Sequence, residues 1–282
     1  MKIGSMTITP LIDGEILADP PAYYSNVTDE DWQPHSRFLD TCTGDLSVTV
    51  GSHLIRHEDR LILIDTGNGP QPVFPWVGGG LRSSLAAAQV KPSDITDVVY
   101  THLHSDHIGW SSIDGKPFFP NATYRVDKRD WDFFMDPNYD MPDWERSLTV
   151  PERDAATVKL APIKNQLEFF EGDDEVLPGI NAIEASGHTP GSTVLELVSD
   201  GERGVLIGDL VHAQPELIEV GKGWDFFAHI DSEVGLEAVR RISKWLVDEK
   251  LPFAGAHFTG MTWWRLDSEK GQRTLTELPS NS

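Results

Sequence analysis

The chain has 282 residues, with 45 Asp and Glu against 23 Lys and Arg, which gives a formal net charge of −22 at pH 7. Such an acidic surface repels phosphate backbones and anionic lipids, so nucleic-acid and membrane partners are not expected. The single cysteine, Cys42, excludes an internal disulfide, and without a Cys–His context we expect it to be a small buried apolar residue.

The chain contains neither an apolar run long enough to span a membrane nor a recognisable export signal, so we expect a cytoplasmic protein. A hydrophobic content of 39% at this length is enough for a large core. No low-complexity linker divides the sequence, and a single domain over residues 1–282 is predicted. Within it, the Pro-, Tyr- and acid-rich segment 19–45 is predicted to be either an N-terminal arm of a homodimer or a loop over a pocket.

Strand patterns dominate the first half of the chain. Residues 7–12 alternate, and the strands predicted at 46–57 and 60–64 are close enough to form a hairpin. The glycines and proline at 67–70 then interrupt the strand pattern. The following predicted elements are a helix at 81–89, strands at 97–100 and 123–126, a helix at 128–135, a lid-like loop bracketed by prolines 137, 142 and 151, and a weak helix at 152–161.

The second half alternates between strands and helices. Strands are predicted at 180–184, 193–198, 205–207 and 253–256. The strongest helical pattern covers 232–248, where Ser232 is the predicted N-terminal cap and apolar residues recur with helical spacing. This order of elements predicts an α/β sandwich with two sheets.

The most informative segment is THLHSDHIG, which directly follows the strand predicted at 97–100. In an extended segment, residues two apart point the same way, so His102 and His104 are expected to bind one metal ion. If the chain then turns into a helix, Asp106 and His107 point elsewhere and are available to a second ion. Imidazole and carboxylate groups suit zinc.

Three further residues have the same chemistry and similar positions. His188 lies in a glycine-rich turn after one predicted strand, while Asp209 and His257 follow two others. Each alone is as easily explained by a buried hydrogen bond or a turn. Together with His102 to His107 they make a full set of ligands for two metal ions, because strand ends converge at one edge of a sheet.

These motifs resemble the metallo-β-lactamase superfamily. The matching residues occur in the family's order and span most of the chain: Asp65-Thr66-Gly67, His102, His104, Asp106, His107, His188, Asp209 and His257. The resemblance implies an αβ/βα four-layer sandwich, with two mixed β-sheets flanked by helices and the site along one edge. The aspartate that matches Asp65 supports the ligands from behind in the family, although a turn alone would also explain it here.

The resemblance also implies how the ligands are shared between two zinc ions: His102, His104 and His188 bind the first, Asp106, His107 and His257 bind the second, and Asp209 bridges both. The same ligands accept manganese, iron or cobalt. Two zinc ions can share a water, lower its pKa and so supply a hydroxide that attacks a carbonyl or phosphoryl centre. Asp106 is then the expected proton acceptor.

The group that protonates the leaving oxygen is less clearly marked. Acyl-homoserine-lactone lactonases of the superfamily have a Tyr three residues after the bridging Asp, and His212 occupies that position here. His212 is expected either to donate that proton or to be a supporting core residue. The departure weakens the inference of an acyl-homoserine-lactone substrate.

Aromatic residues crowd the ligand segments. About half are expected in the core. The others are expected to wall an apolar pocket, with the segment 74–76 overhanging it. These residues are Trp110, Trp224, Phe226, Phe227, Trp263 and Trp264. The pattern predicts a small, neutral, partly hydrophobic substrate, and therefore a zinc-dependent hydrolase of lactones or carboxylic esters.

Other functions fit the sequence less well. An organophosphate hydrolase resembling methyl parathion hydrolase is the nearest alternative, and the segment GDLVHAQPEL is compatible with it. A β-lactam hydrolase would normally carry an export signal. A mononuclear iron dioxygenase uses fewer of these ligands, and a non-enzymatic metal-binding protein would not need the complete set.

Overall fold

Two β-sheets build the core of the protein in a computed structural model that describes residues 1–70 and 76–279. The first half of the chain contributes the strands β1 (Lys2–Ile3), β2 (Met6–Ala18), β3 (Leu46–His57), β4 (Arg60–Ile64), β5 (Trp76–Val77), β6 (Asp97–Val99), β7 (Ser112–Ile113), β8 (Lys116–Pro117) and β9 (Thr123–Asp127). The second half contributes β10 (Leu167–Phe170), β11 (Glu175–Leu177), β12 (Ile180–Glu184), β13 (Thr193–Ser199), β14 (Glu202–Leu206), β15 (Pro252–Ala254), β16 (Trp263–Glu269) and β17 (Gln272–Glu277).

Helices connect the strands and cover the sheets. The α-helices of the described residues are α1 (Asp29–Trp32), α2 (Leu81–Ala87), α3 (Ser105–Ile108), α4 (Lys128–Phe134), α5 (Asp143–Leu148), α6 (Pro151–Asp154), α7 (Ala156–Lys159), α8 (Gln214–Ile218) and α9 (Ser232–Glu249). Short 3-10 helices occupy Pro20–Tyr23, Gln33–Phe38, Pro92–Asp94, Ala161–Gln166 and Thr259–Met261. None of the helices in the described part of the chain has the length and apolar content needed to cross a membrane.

Both sheets are mixed. The first has the order β1-β2-β3-β4-β6-β9-β10, with β5 paired to β2, and its strands from β4 to β10 run parallel. The second has the order β11 to β17, and β14 and β15 are its parallel pair. A buried apolar layer containing Ile8, Ile55, Leu195 and Leu197 joins the two sheets.

Helices close the outer faces. A cluster around Leu85, Phe134 and Leu160 covers the first sheet, and α9 packs Ile242 and Leu246 against the second. The predicted four-layer αβ/βα sandwich of two mixed sheets is therefore confirmed. A helix such as α9 buries an apolar stripe against one face of a sheet. This burial is the main contribution to the stability of the helix.

Several strands and helices are longer than the sequence predicted or were not predicted at all. The strand predicted at 7–12 continues to Ala18 through an irregularity in register between Ile12 and Gly14, where a simple alternating pattern breaks. Strands β10, β11, β16 and β17 were not predicted, and the expected lid-like loop contains the helix α5. Cys42 is exposed, so the expectation that it is buried was wrong. The segment 74–76 falls largely outside the described residues, and only the backbone of Trp76 is described.

The segment 19–45 folds back over the chain around residue 225. The backbones of Tyr24 and Phe226 form an isolated β-bridge, and the Tyr24 hydroxyl donates a hydrogen bond to Glu216 at 2.8 Å. Aromatic contacts among Tyr24, Trp32 and Trp224 consolidate this packing. The segment thus brings Tyr23 to the mouth of the candidate site. A role as a dimer arm stays a prediction.

The cap of α9 differs from the predicted one. Ser232 is the first helical residue, and the Asp231 carboxylate accepts a hydrogen bond from the Val234 N–H at 3.1 Å. Aspartate serves well there because it meets an otherwise unpaired N–H and complements the positive end of the helix.

We expect Asp231→Ala to lower the free energy of unfolding by about 1 kcal/mol, because a helix N–H loses its acceptor. Ser232→Ala is the matched control and should change it by less than about 0.5 kcal/mol. Urea unfolding followed by circular dichroism measures both. A larger loss for Ser232→Ala would return the capping role to the serine.

Candidate metal centre

The residues with metal-binding chemistry all follow strand ends. His102 and His104 come after β6, and His188 comes after β12. Asp209 follows β14 and His257 follows β15, two parallel strands whose carboxyl ends lie side by side. The two stacked sheets therefore deliver their ligands to one shared edge.

Three histidines form the first group. His102 Nε2 lies 3.1 Å from His104 Nδ1, and His104 Nδ1 lies 2.8 Å from His188 Nε2. The extended backbone before α3 lets His102 and His104 face the same point. The three nitrogens are close enough to bind one ion.

The second group forms where the chain turns into α3. His107 Nε2 lies 3.9 Å from Asp106 Oδ1, and His257 Nε2 lies 3.6 Å from Asp106 Oδ2. These three side chains also place one ligand atom each within reach of a common ion. The helical turn places His107 between the two groups, since its ring centroid also lies 4.0 Å from that of His102 and the two share a possible ligand group with Asp209.

Asp209 lies between the two groups. Its Oδ2 is 3.3 Å from His188 Nε2 in the first group and 3.1 Å from His257 Nε2 in the second. Its Oδ1 is 3.3 Å from His107 Nε2. The carboxylate thus contacts both groups, Oδ2 reaching one residue of each and Oδ1 reaching the second.

The cluster meets the physical requirements of a metal site. None of the seven residues is more than 6% exposed, yet His107 Nε2 and Asp209 Oδ1 are buried without a hydrogen-bond partner among the described residues. Burying so many polar atoms is unfavourable unless something coordinates them. The donor set of five imidazoles and two carboxylates suits zinc and related divalent ions.

Protonation differs between the two groups. Burial and the neighbouring His188 hold the pKa of His104 well below its usual range, so the imidazole keeps a free lone pair. Burial alone would lower the pKa of His107, but the carboxylates of Asp209 and Asp65 hold it well above its usual range. Burial would by itself raise the pKa of Asp209, but the surrounding imidazoles, His107 foremost, hold it well below its usual range. Metal binding requires deprotonated ligands, so an ion entering the second group would displace a proton.

A second ring of contacts orients the ligands. Asp65 accepts hydrogen bonds from His107 Nδ1 at 2.9 Å and from the Thr101 backbone N–H at 2.8 Å. The Thr49 carbonyl accepts a hydrogen bond from His257 Nδ1 at 2.9 Å. Asp65 also has a φ of +59°, so it forms the turn as well as supporting a ligand.

An apolar-walled cavity opens over the cluster. Its walls include Tyr23, Trp144, Phe226 and Phe227, and its floor includes the metal-ligand candidates. Of the aromatics noted in the sequence, Phe226 and Phe227 thus face the cavity. The remaining four, Trp110, Trp224, Trp263 and Trp264, are buried and do not line it.

His212 is buried at the floor of this cavity. Its Nε2 lies 3.2 Å from Asp209 Oδ2, and its ring stacks on Phe226 with centroids 3.4 Å apart. Its Nδ1 has no hydrogen-bond partner in the described part of the chain. Burial holds the pKa of His212 well below its usual range. The side chain is therefore a neutral imidazole in contact with both the cluster and the cavity.

Sequence reasoning missed Tyr23, Trp144 and Asp130. Tyr23 and Trp144 lie in segments flagged only as a loop over a pocket and as a lid. Asp130 lies in a predicted helix with no motif to mark it. Its carboxylate is completely buried beside the ligand loops, and burial raises its pKa to about 7.

The family model of the metallo-β-lactamase superfamily matches residues 49–250. The chain belongs to this superfamily. A Bacillus sp. protein named N-acyl homoserine lactonase is 25% identical over 223 residues, which cover 73% of this chain and 79% of that protein. Metallo-beta-lactamase domain-containing protein 1 of Xenopus laevis is 27% identical over 64% of this chain and 61% of its own length.

Solved structures of the superfamily share the whole architecture. The dizinc quorum-quenching lactonase AidC, in complex with a product, superposes with a TM-score of 0.83 and 23% identity over 100% of this chain and 97% of AidC. The hydrolase AbOPH gives a TM-score of 0.83 at 25% identity, with coverage of 100% and 97%. The predicted family is therefore confirmed, and the superfamily fold holds a His/Asp cluster able to bind metal in this chain.

We expect His257→Gln to reduce the bound zinc, because the cluster loses one ligand of its second group. His53→Gln is the matched control, since His53 is equally buried on β3 but is outside the cluster. Elemental analysis after dialysis against zinc measures the stoichiometry of each variant. Equal zinc content in the wild type and His257→Gln would contradict the assignment of His257 as a ligand.

Proposed function

We propose that the protein is a zinc-dependent hydrolase with a dinuclear site, which opens a lactone or cleaves a carboxylic ester. The observation that carries this proposal is the position of Asp209 between two complete ligand groups, directly beneath an apolar-walled cavity. Lactonases among the relatives support the reaction class. The ligands proposed are His102, His104 and His188 for one ion, Asp106, His107 and His257 for the other, and Asp209 as the bridge.

Zinc bound there would lower the pKa of a coordinated water and polarise the carbonyl of the substrate. The protein's own residues then have to hold the substrate and move protons. The Asp106 carboxylate lines the cavity and contacts both His107 and His257. We assign it the proton released when water adds to the carbonyl carbon.

His212 is assigned to the leaving oxygen. Its ring lines the cavity, and stacking on Phe226 fixes its plane. A neutral imidazole can stabilise an oxygen that becomes negatively charged as the C–O bond breaks by donating a hydrogen bond to it, and Asp106 returns the proton that it accepted. The residue thus replaces the tyrosine found at this place in acyl-homoserine-lactone lactonases.

The cavity favours a small, neutral, partly hydrophobic substrate. Ile16, Val48, Phe226 and Phe227 offer apolar contact, and no Lys or Arg occurs among the described residues that line it. An anionic substrate would therefore find no side-chain cation there. A neutral ester or lactone places its carbonyl at the polar floor and its apolar part against these walls.

We expect Asp106→Asn to lower kcat for lactone or ester hydrolysis by about 10²-fold or more, because the amide cannot accept the proton. Asp132→Asn is the control, since Asp132 lies on exposed α4 surface and pairs only with Lys128. Initial rates and zinc content are measured together on a lactone, an aryl ester, a phosphotriester and a β-lactam. Activity confined to phosphotriesters or β-lactams would overturn the substrate class.

The role of His212 is separable by leaving group. A lactone expels a basic alkoxide that depends on this hydrogen bond, whereas a nitrophenyl ester expels a weakly basic phenolate that does not. His212→Phe should therefore lower kcat on the lactone by about 10²-fold and on the nitrophenyl ester by only a few-fold. His212→Tyr restores a donor and should recover part of the lactone rate. Equal losses on both substrates would show that His212 only positions Asp209.

A further inference from the structure

Asp130 is a buried carboxylate that the proposed chemistry does not use. It lies on α4 and is 0% exposed. Its Oδ2 accepts hydrogen bonds from the Leu103 N–H at 3.0 Å and the Thr189 hydroxyl at 2.9 Å, and its Oδ1 accepts one from the Gly191 N–H at 2.6 Å. All three donors belong to the loops that carry the first group of ligands.

Two of the donors to Asp130 are next to candidate ligands in the chain. Leu103 stands between His102 and His104 in the chain, and Thr189 directly follows His188. One carboxylate therefore ties together two loops that come from different sheets. Gly191 allows the close approach, because a Cβ at this position would lie 2.7 Å from the Asp130 backbone nitrogen.

We propose that Asp130 is a positioning residue for the first metal position, fixing the distance between the His102–His104 segment and His188. This inference rests on the proposed metal centre. Where ligand orientation depends on a supporting contact, loss of that contact typically lowers metal affinity by about 10- to 100-fold. The second group has its own support in the contact between Asp65 and His107.

The charge of Asp130 fits the same role. Among the described residues, the partners of this carboxylate are two backbone N–H groups and one hydroxyl, with no Lys, Arg or His side chain. The first group consists of three imidazoles and no carboxylate, so an ion held by them alone would keep most of its positive charge. Burial raises the pKa of Asp130 to about 7, and a cation bound by the first group would favour the ionised carboxylate behind the loops.

The test is a zinc titration against a competing chelator, on Asp130→Asn and on the wild type. Asparagine keeps the volume but has only one acceptor oxygen, and its NH₂ group must face one of the three donors. We expect one of the two zinc equivalents to bind at least about 10-fold more weakly, while the other is unchanged. Circular dichroism establishes that the variant is folded.

Asp13→Asn is the matched control. Asp13 is a buried carboxylate that also accepts several N–H groups, from Gly69, Leu81 and the Trp110 indole, but it touches neither ligand loop. It should leave both zinc affinities unchanged. If Asp130→Asn does not fold, Thr189→Val removes a single donor and should weaken the same equivalent by a smaller factor.

A double variant assigns the weakened equivalent. In a His188→Ala background the first position is already impaired, so adding Asp130→Asn should weaken zinc binding little further. Wild-type affinity for both equivalents in Asp130→Asn, or equal weakening in Asp130→Asn and Asp13→Asn, would overturn the inference. A wild-type protein that binds no zinc would instead refute the proposed metal centre.

Discussion

The Asp209 carboxylate is the constraint on which the rest of the structure depends. Five imidazole nitrogens surround its oxygens at 3.1 to 3.6 Å: those of His102, His107, His188, His212 and His257. Such a crowd of buried polar groups is unstable unless positive charge is added at its centre. Burying these polar side chains costs free energy. The fold therefore has to hold the candidate ligands close together, in positions from which a bound cation could contact them.

Close approach of the ligand loops is achieved by backbone rather than by side chains. Gly208, just before Asp209, has a φ of +50°, and a Cβ there would lie 3.0 Å from the Thr101 side chain. Gly187, just before His188, has a φ of +129°. A Cβ added to it would lie 2.1 Å from the backbone nitrogen of Gly235 in α9. Larger residues would push these loops apart. The glycines beside the candidate ligands thus contribute to the geometry of the candidate metal centre.

The clustering of the candidate ligands was predictable because their signal is local. His102, His104 and Asp106 follow a strand with spacings that fix their directions, and Asp209 follows an apolar run. Tyr23 and Asp130 carry no such signal, since only the packing of a distant segment brings them to the site. The predicted capping role of Ser232 and the predicted burial of Cys42 were wrong for the same reason. Capping and burial both depend on where the neighbouring turns place the side chain. Apolar and polar residues alternate only weakly in β16 and β17. These strands form because they pair with their neighbours in the sheet, not because of a clear sequence pattern.

The acidic composition acquires a role once the cavity is known. The described residues that line the cavity include no Lys or Arg, while the whole chain carries a net charge of −22. A neutral ester or lactone, the substrate class proposed, would approach without electrostatic cost, and its hydrolysis would create a carboxylate. The surrounding negative potential then opposes retention of that product, although the metal-binding floor attracts it. An acidic surface around a cavity without Lys or Arg would therefore favour both binding of a neutral substrate and release of an anionic product. A basic protein of the same fold would retain the anionic product instead.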